Sequence, residues 1–277
     1  MTGADAYHGE GPVWYAPWGG LRWVDMLAGD VLSLDAATGE VGRQHVGEVA
    51  AALRPRRAGG MVMGVTRGFA LVEADGQVRS LGELWTDPSV RMNEGGCDPD
   101  GRFWCGSMGV PVRTGSGAVY RLDPDGSTRQ VFDGVTISNG LAWSPDGGTA
   151  YYVDSPTQRI DAFDYDRARG LTDRRPVVRV PAEQGTPDGL TVDADGYLWL
   201  ALYGGSAVHR YAPDGRLDGV VEVPVRQVTA CTFGGAGGDE LYITTSRENL
   251  PDPEPAAGAV FVARPGVRGL PVLPFAG

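Results

Sequence analysis

The sequence contains no lysine, so all 24 basic residues are arginine. That bias carries no functional information by itself. Histidine is nearly as scarce, with only His8, His45 and His209. These three make no HExxH pair, and the chain has no GxSxG elbow, no P-loop and no Rossmann glycine pattern after a strand. Metalloprotease, serine-hydrolase, nucleoside-triphosphate and dinucleotide chemistry are therefore unsupported. Cysteine is limited to Cys97, Cys105 and Cys231, an odd count without a CxxC spacing. Reduced, mostly buried thiols are expected. No apolar run reaches the roughly 18 residues that span a bilayer. The opening MTGADAYHGEGP lacks a basic and then apolar signal pattern, so a soluble, cytoplasmic protein is expected. Positive charge is also in deficit, giving a net charge of −11. A surface of that sign repels nucleic acid and anionic membranes, and it is compatible with a cation site.

Turn residues are plentiful, with 43 glycines and 20 prolines in 277 residues, yet 42% of the chain is hydrophobic. This describes a turn-rich globular protein with a large core. Short stretches such as LRWVDM, RFWCGSM, TAYYVDS, YLWLALY and ELYITTS alternate in polarity and are rich in aromatic and β-branched residues. Each follows a polar glycine turn, which is a strand signal, and no long window has a helical period.

The turns recur in two series. The first has glycines near Gly20, Gly60, Gly101, Gly147, Gly196 and Gly238, spaced 40 to 49 residues apart. The second has Gly39, Gly76, Gly126, Gly170, Gly215 and Gly266, and the two series alternate strictly. Each period thus holds two hairpins, or four strands. Six such periods predict an all-β, six-bladed β-propeller with four-stranded blades, one domain over residues 1–277. A β-sandwich competes, but it does not require a doubled turn series.

In a propeller the first strand of each blade lines the central channel. Counting eight residues back from the first-series glycines lands on Asn93, Asn139 and Asp188, and on Ala52 and Ala230 in two other blades. In the first blade the count falls two residues past Glu10. Equivalent positions meet at the axis, so Glu10, Asn93, Asn139 and Asp188 converge. Two carboxylates and two amides offer oxygen ligands only, suited to Ca²⁺, Mg²⁺ or Mn²⁺, with Zn²⁺ less favoured without histidine or cysteine. The competing reading has these residues capping inner-strand ends. Clustered carboxylates argue against it, because they repel unless a cation sits between them. His8 lies two residues before Glu10 and could share its strand face, although a structural or surface histidine is the favoured reading.

These residues lie in ordered motifs that resemble the regucalcin (senescence marker protein), gluconolactonase and luciferin-regenerating-enzyme family of metal-dependent lactonases. The likeness runs from HGEGPVWY to the final FAG. HGEGPVW resembles the motif whose glutamate binds metal, here Glu10. RMNEGGCDPDGRFWCGSM resembles the substrate motif, here Arg91 and Asn93. ISNGLAWSPDG and TPDGLTVDADGYLWLA resemble the motifs carrying the metal-binding Asn139 and Asp188. The resemblance implies one divalent ion, Ca²⁺ foremost, and hydrolysis of a sugar-acid lactone or similar cyclic ester. Asp188 is the candidate general base, since a carboxylate beside the attacking water can take its proton. Arg91 and Asn93 are two residues apart and share a strand face.

One segment departs from the family pattern. Several members carry a substrate-contacting glutamate after the motif that here reads GSM, whereas residues 109–117 read GVPVRTGSG, without an acid. Arg113, Thr114 and Ser116 stand there instead, and an arginine would favour an anionic substrate. A specialised-pathway hydrolase or isomerase on a non-sugar substrate, and a non-enzymatic Ca²⁺-binding propeller, are the competing functions. The sequence assigns no oligomeric state, and no face to the PDPEP stretch.

Overall fold

A computed structural model of the chain describes residues 1–277. The first blade is β1 (Gly9–Tyr15), β2 (Gly20–Asp25), β3 (Asp30–Leu34) and β4 (Val41–His45). The second is β5 (Ala50–Pro55), β6 (Met61–Val65), β7 (Gly68–Val72) and β8 (Val78–Glu83). The third is β9 (Val90–Cys97), β10 (Phe103–Gly109), β11 (Gly117–Leu122) and β12 (Thr128–Val135). The fourth is β13 (Ser138–Trp143), β14 (Thr149–Asp154), β15 (Arg159–Asp166) and β16 (Gly170–Arg179). The fifth is β17 (Thr186–Val192), β18 (Leu198–Tyr203), β19 (Ala207–Tyr211) and β20 (Leu217–Glu222). The sixth is β21 (Val228–Gly234), β22 (Glu240–Thr245) and β23 (Phe261–Ala263). Every sheet is an antiparallel meander, and the six stand as blades of a propeller.

Local chemistry accounts for the repeat. First-series glycines turn the inner hairpins, and five second-series glycines turn the outer ones. Gly101, Gly147 and Gly196 have φ of 77°, 72° and 84°, a region that an L side chain enters at a cost. Buried aspartates brace two of these turns. Asp98 accepts from the Arg102 backbone N at 2.9 Å and from Trp104 Nε1 at 2.8 Å. Asp193 does the same for Tyr197 and Trp199, both at 2.9 Å.

Side-chain size follows the fan shape of the blades. Inner strands are built from small residues, as in AAALRP, SNGLAW and TPDGLTV, so six backbones can converge on one axis. Larger side chains fill the widening gaps outside them: Trp23, Phe69, Phe103, Trp104 and Tyr152 are all fully buried. The outermost strands β4, β8, β12 and β20 are mostly exposed, as their polar sequences require.

The sixth blade departs from the doubled-hairpin expectation. Its own strands number three, and Gly266 leads into a tail instead of a fourth strand. The N-terminal segment takes the outer place. Thr2 N donates to Val260 O at 3.0 Å, and Ala6 N donates to Gly258 O at 3.1 Å. The tail then crosses the face opposite the site described below. Ala194 N donates to Arg268 O at 2.8 Å, Phe275 N to Pro55 O at 2.8 Å and Ala276 N to Gly101 O at 2.9 Å. Its Leu270–Leu273 stretch forms one wall of a small inner chamber on the axis.

Candidate functional site

Each of the six inner strands breaks register with its partner at one equivalent place. The breaks fall between Glu10 and Val13, Ala50 and Ala52, Met92 and Gly95, Ser138 and Leu141, Pro187 and Leu190, and Val228 and Ala230. Such bulges re-aim side chains. Glu10, Asn93, Asn139 and Asp188 all sit at these breaks, and all are buried.

The residue after three of them is glycine, for a steric reason. A Cβ on Gly140 would lie 2.4 Å from Leu190 Cβ, and one on Gly189 would lie 2.4 Å from Ala230 Cβ. Neighbouring inner strands approach too closely for any side chain. Gly189→Ala is expected to destabilise the fold by about 1–3 kcal/mol through overpacking. Thermal unfolding checks this; an unchanged melting temperature would show that the axis can expand.

Aspartates outside the ring hold the approach to it. Asp25, at the end of β2, accepts from the backbone N of Tyr7 at 3.1 Å and of His8 at 3.0 Å, just before Glu10. Asp154, at the end of β14, accepts from Ile137 N at 2.9 Å, two residues before Asn139. One hydrogen-bond chain then crosses the third and fourth blades. Arg91 Nη1 donates to Asn93 Oδ1 at 2.7 Å, Asn93 Nδ2 to Asn139 Oδ1 at 2.9 Å, and Asn139 Nδ2 to Ser155 Oγ at 2.7 Å. Ser155 therefore holds the amide nitrogen of Asn139, so that its oxygen faces Asn93.

Glu10, Arg91, Asn93, Asn139 and Asp188 line a single cavity of about 270 Å³ at one end of the channel. Its electrostatics are unbalanced. Burial, and then the like charge of Glu94, push the Glu10 carboxyl up to about 8. Asp188 is raised well above the carboxylate range by burial first, and then by Glu10, Glu94 and Glu248. No hydrogen bond or cationic partner offsets either cause at Asp188. Glu94 lies in the inner chamber with Arg54 and is raised to about 7 by burial. His8 is lowered to about 3 by burial and by Arg91. Two buried carboxyls with an amide oxygen nearby make a donor set for one hard cation. No three His, Cys, Asp or Glu side chains gather anywhere in the chain, so the Asn139 amide is indispensable to such a set.

The 109–117 segment behaves differently from its sequence expectation. Arg113 does not enter the cavity: its Nη2 donates to Ser89 Oγ at 2.8 Å and lies 3.7 Å from Asp87. Ser116 Oγ donates to the Arg113 carbonyl at 2.8 Å. The segment presents Val112 to the cavity, with Met108 just before it. An arginine-recognised anionic substrate therefore loses its structural basis.

Several lining residues escaped sequence reasoning. His8 is buried and pairs through Nδ1 with Ser246 Oγ at 2.8 Å, as a structural histidine would, yet it also lines the cavity. Its two-residue spacing from Glu10 was the available signal. Ser155, Tyr203, Glu248 and Asn249 also line it, and nothing in the turn periodicity marks them. Glu248 and Asn249 begin the long connection between β22 and β23. The PDPEP stretch continues that connection, where Glu254 accepts from Arg226 Nε at 2.8 Å. His45 and His209 lie elsewhere, paired with Asp30 and Tyr211.

Comparison with known proteins decides the family. The model described as "SMP-30/Gluconolactonase/LRE-like region" matches residues 8–247. The chain belongs to this family. Among curated SMP-30/gluconolactonase/LRE-like relatives, regucalcin of Gallus gallus is 37% identical over 291 residues, covering 100% of this chain and 97% of its own. A solved structure described as a calcium-binding protein, regucalcin, from Agrobacterium tumefaciens superposes with a TM-score of 0.92 at 29% identity, covering 98% of this chain and 94% of its own. A gluconolactonase from Xanthomonas campestris superposes with a TM-score of 0.77 at 28% identity, covering 94% and 86%. No helix of this chain is long and apolar enough to cross a membrane.

Proposed function

We propose that this protein is a divalent-metal-dependent lactonase, hydrolysing a sugar-acid lactone or a similar cyclic ester. The observation that carries the reading is Asp188: a fully buried carboxyl in a small-molecule cavity, beside Glu10, with no partner for its charge. Glu10, Asn139 and Asp188 would hold the ion, Ca²⁺ foremost, with Mg²⁺, Mn²⁺ or Zn²⁺ as alternatives. When bound, a divalent cation supplies Lewis-acid polarisation of the carbonyl and restores both carboxyls to their ionised form.

The chain's own residues do the rest. Arg91 and Asn93 hold the lactone oxygens by hydrogen bonds. Asp188 takes a proton from the attacking water as its oxygen bonds to the carbonyl carbon. The ring C–O bond then breaks, and the proton returns to the departing alkoxide oxygen. The products are the open hydroxy acid in its ionised form and one released proton. Three free, buried cysteines suit a reducing cytoplasmic setting for this chemistry.

The test is a lactone screen by proton release, with EDTA treatment and metal add-back. Turnover that EDTA abolishes and one metal restores supports the reading; no turnover of any lactone with any metal refutes it. A second reading, a Ca²⁺-binding propeller without turnover, draws on the calcium-binding Agrobacterium relative. It predicts tight Ca²⁺ binding by calorimetry together with a blank screen.

A further inference from the structure

The cavity has two walls of opposite chemistry. On one side Val112, Met108 and Ile137 offer no side-chain hydrogen-bonding group apart from a weak thioether. Val112 is 53% exposed and Val110 is 49% exposed, so this apolar wall continues to the mouth. On the other side stand Glu248, Asn249 and His8. Glu248 is the one carboxylate of the lining that is not among the proposed metal ligands. Its Oε2 lies 3.4 Å from His8 Nδ1, which already has Ser246 Oγ at 2.8 Å. The carboxylate is therefore under-used, and a carboxylate only accepts hydrogen bonds. Its position is nonetheless fixed. Glu248 N donates to Ser246 Oγ at 2.9 Å, while Arg247 is tied to Tyr7 O at 3.0 Å and through Nη2 to Ala4 O at 2.7 Å.

Resting on the lactonase reading, we propose that Glu248 is the specificity residue of the site. It accepts a hydrogen bond from a substrate hydroxyl, while the Val112 wall takes a part of the substrate that carries none. The preferred substrate is then a lactone hydroxylated on one side only, with a deoxy or alkyl arm on the other. A fully hydroxylated aldonolactone would bury an unpaired hydroxyl against Val112, which is unfavourable.

The experiment measures kcat and KM by proton release on the Ca²⁺-loaded protein. Substrates are an alkyl-substituted hydroxylactone, the same lactone without its hydroxyl, and glucono-δ-lactone. The wild type is expected to prefer the first. Glu248→Gln is expected to lower kcat/KM on it about 10- to 100-fold more than on its deoxy counterpart, mainly through KM. Ca²⁺ affinity, read by calorimetry, is the independent control that the site is still assembled. Val112→Glu is expected to move preference toward glucono-δ-lactone. Equal effects of Glu248→Gln on both alkyl lactones, or a wild-type preference for glucono-δ-lactone, overturn the inference and leave the lactonase reading standing. No turnover of any lactone by the wild type overturns both.

Discussion

Asp188→Asn is expected to abolish lactone turnover, by about 10³-fold or more, while raising the melting temperature of the metal-free protein. The two effects share one cause. The carboxyl is isosteric with the amide, so the packing around Pro187 and Gly189 is kept. Turnover is lost because the amide cannot take a proton from water and contributes no charge to a cation. Stability rises because a buried acid, opposed by Glu10, Glu94 and Glu248, is replaced by a neutral group. In the presence of Ca²⁺ the order should reverse, with the wild type gaining far more from the metal. Proton-release kinetics and thermal melts with EDTA and with Ca²⁺ check all three statements. Near-normal turnover would remove Asp188 from the mechanism. A lower melting temperature of the EDTA-treated variant would mean that the carboxyl has a stabilising partner after all.

Without metal, the wild type should lose stability as pH rises from about 5 to about 8. Glu10 titrates near 8 and Glu94 near 7 in the folded chain, against an ordinary value of 4.5 for both. Between the unfolded and folded values, the folded protein holds protons that the unfolded chain has released. Stability therefore falls with pH across that window and levels off above it. The loss should be a few kcal/mol, on the order of 10 °C in melting temperature. Saturating Ca²⁺ should flatten the curve, since a cation beside Glu10 and Asp188 favours the ionised forms. The stabilisation by Ca²⁺ should accordingly be larger at pH 8 than at pH 5. Melts of the EDTA-treated protein across this range provide the measurement. Stability that rises with pH would mean that these carboxyls are ionised and paired without metal.

The parts of the fold that could be read directly are those with local causes. A glycine at φ near 77° marks a turn whatever surrounds it, so the two alternating glycine series carry the blade count. A fixed offset from those turns places Asn93, Asn139 and Asp188 on one axis, because strand length and turn length repeat. The count missed Glu10 by two residues because the first hairpin is built differently. There Ala16–Trp18 form a short 3₁₀ turn that ends on Gly19, at φ 82°. The bulge at each site residue was not legible, since it depends on how two strands pair. Its one trace was the glycine after Glu10, Asn139 and Asp188, which reflects contact between neighbouring blades.

The amino-acid sequence by itself determined the six-bladed architecture, the family and the convergence of Glu10, Arg91, Asn93, Asn139 and Asp188. Each of these follows from turn chemistry or from a motif of adjacent residues. Only the tertiary structure decided what surrounds them. It turned Arg113 away toward Ser89 and Asp87 and left Val112 in the cavity. It brought Glu248 over the site from the β22–β23 connection, anchored on the N-terminal segment some 240 residues earlier in the chain. It also completed the sixth blade with that same segment. Side-chain direction in a loop, and the closing of a ring, depend on contacts between distant parts of the chain, and no local pattern encodes them.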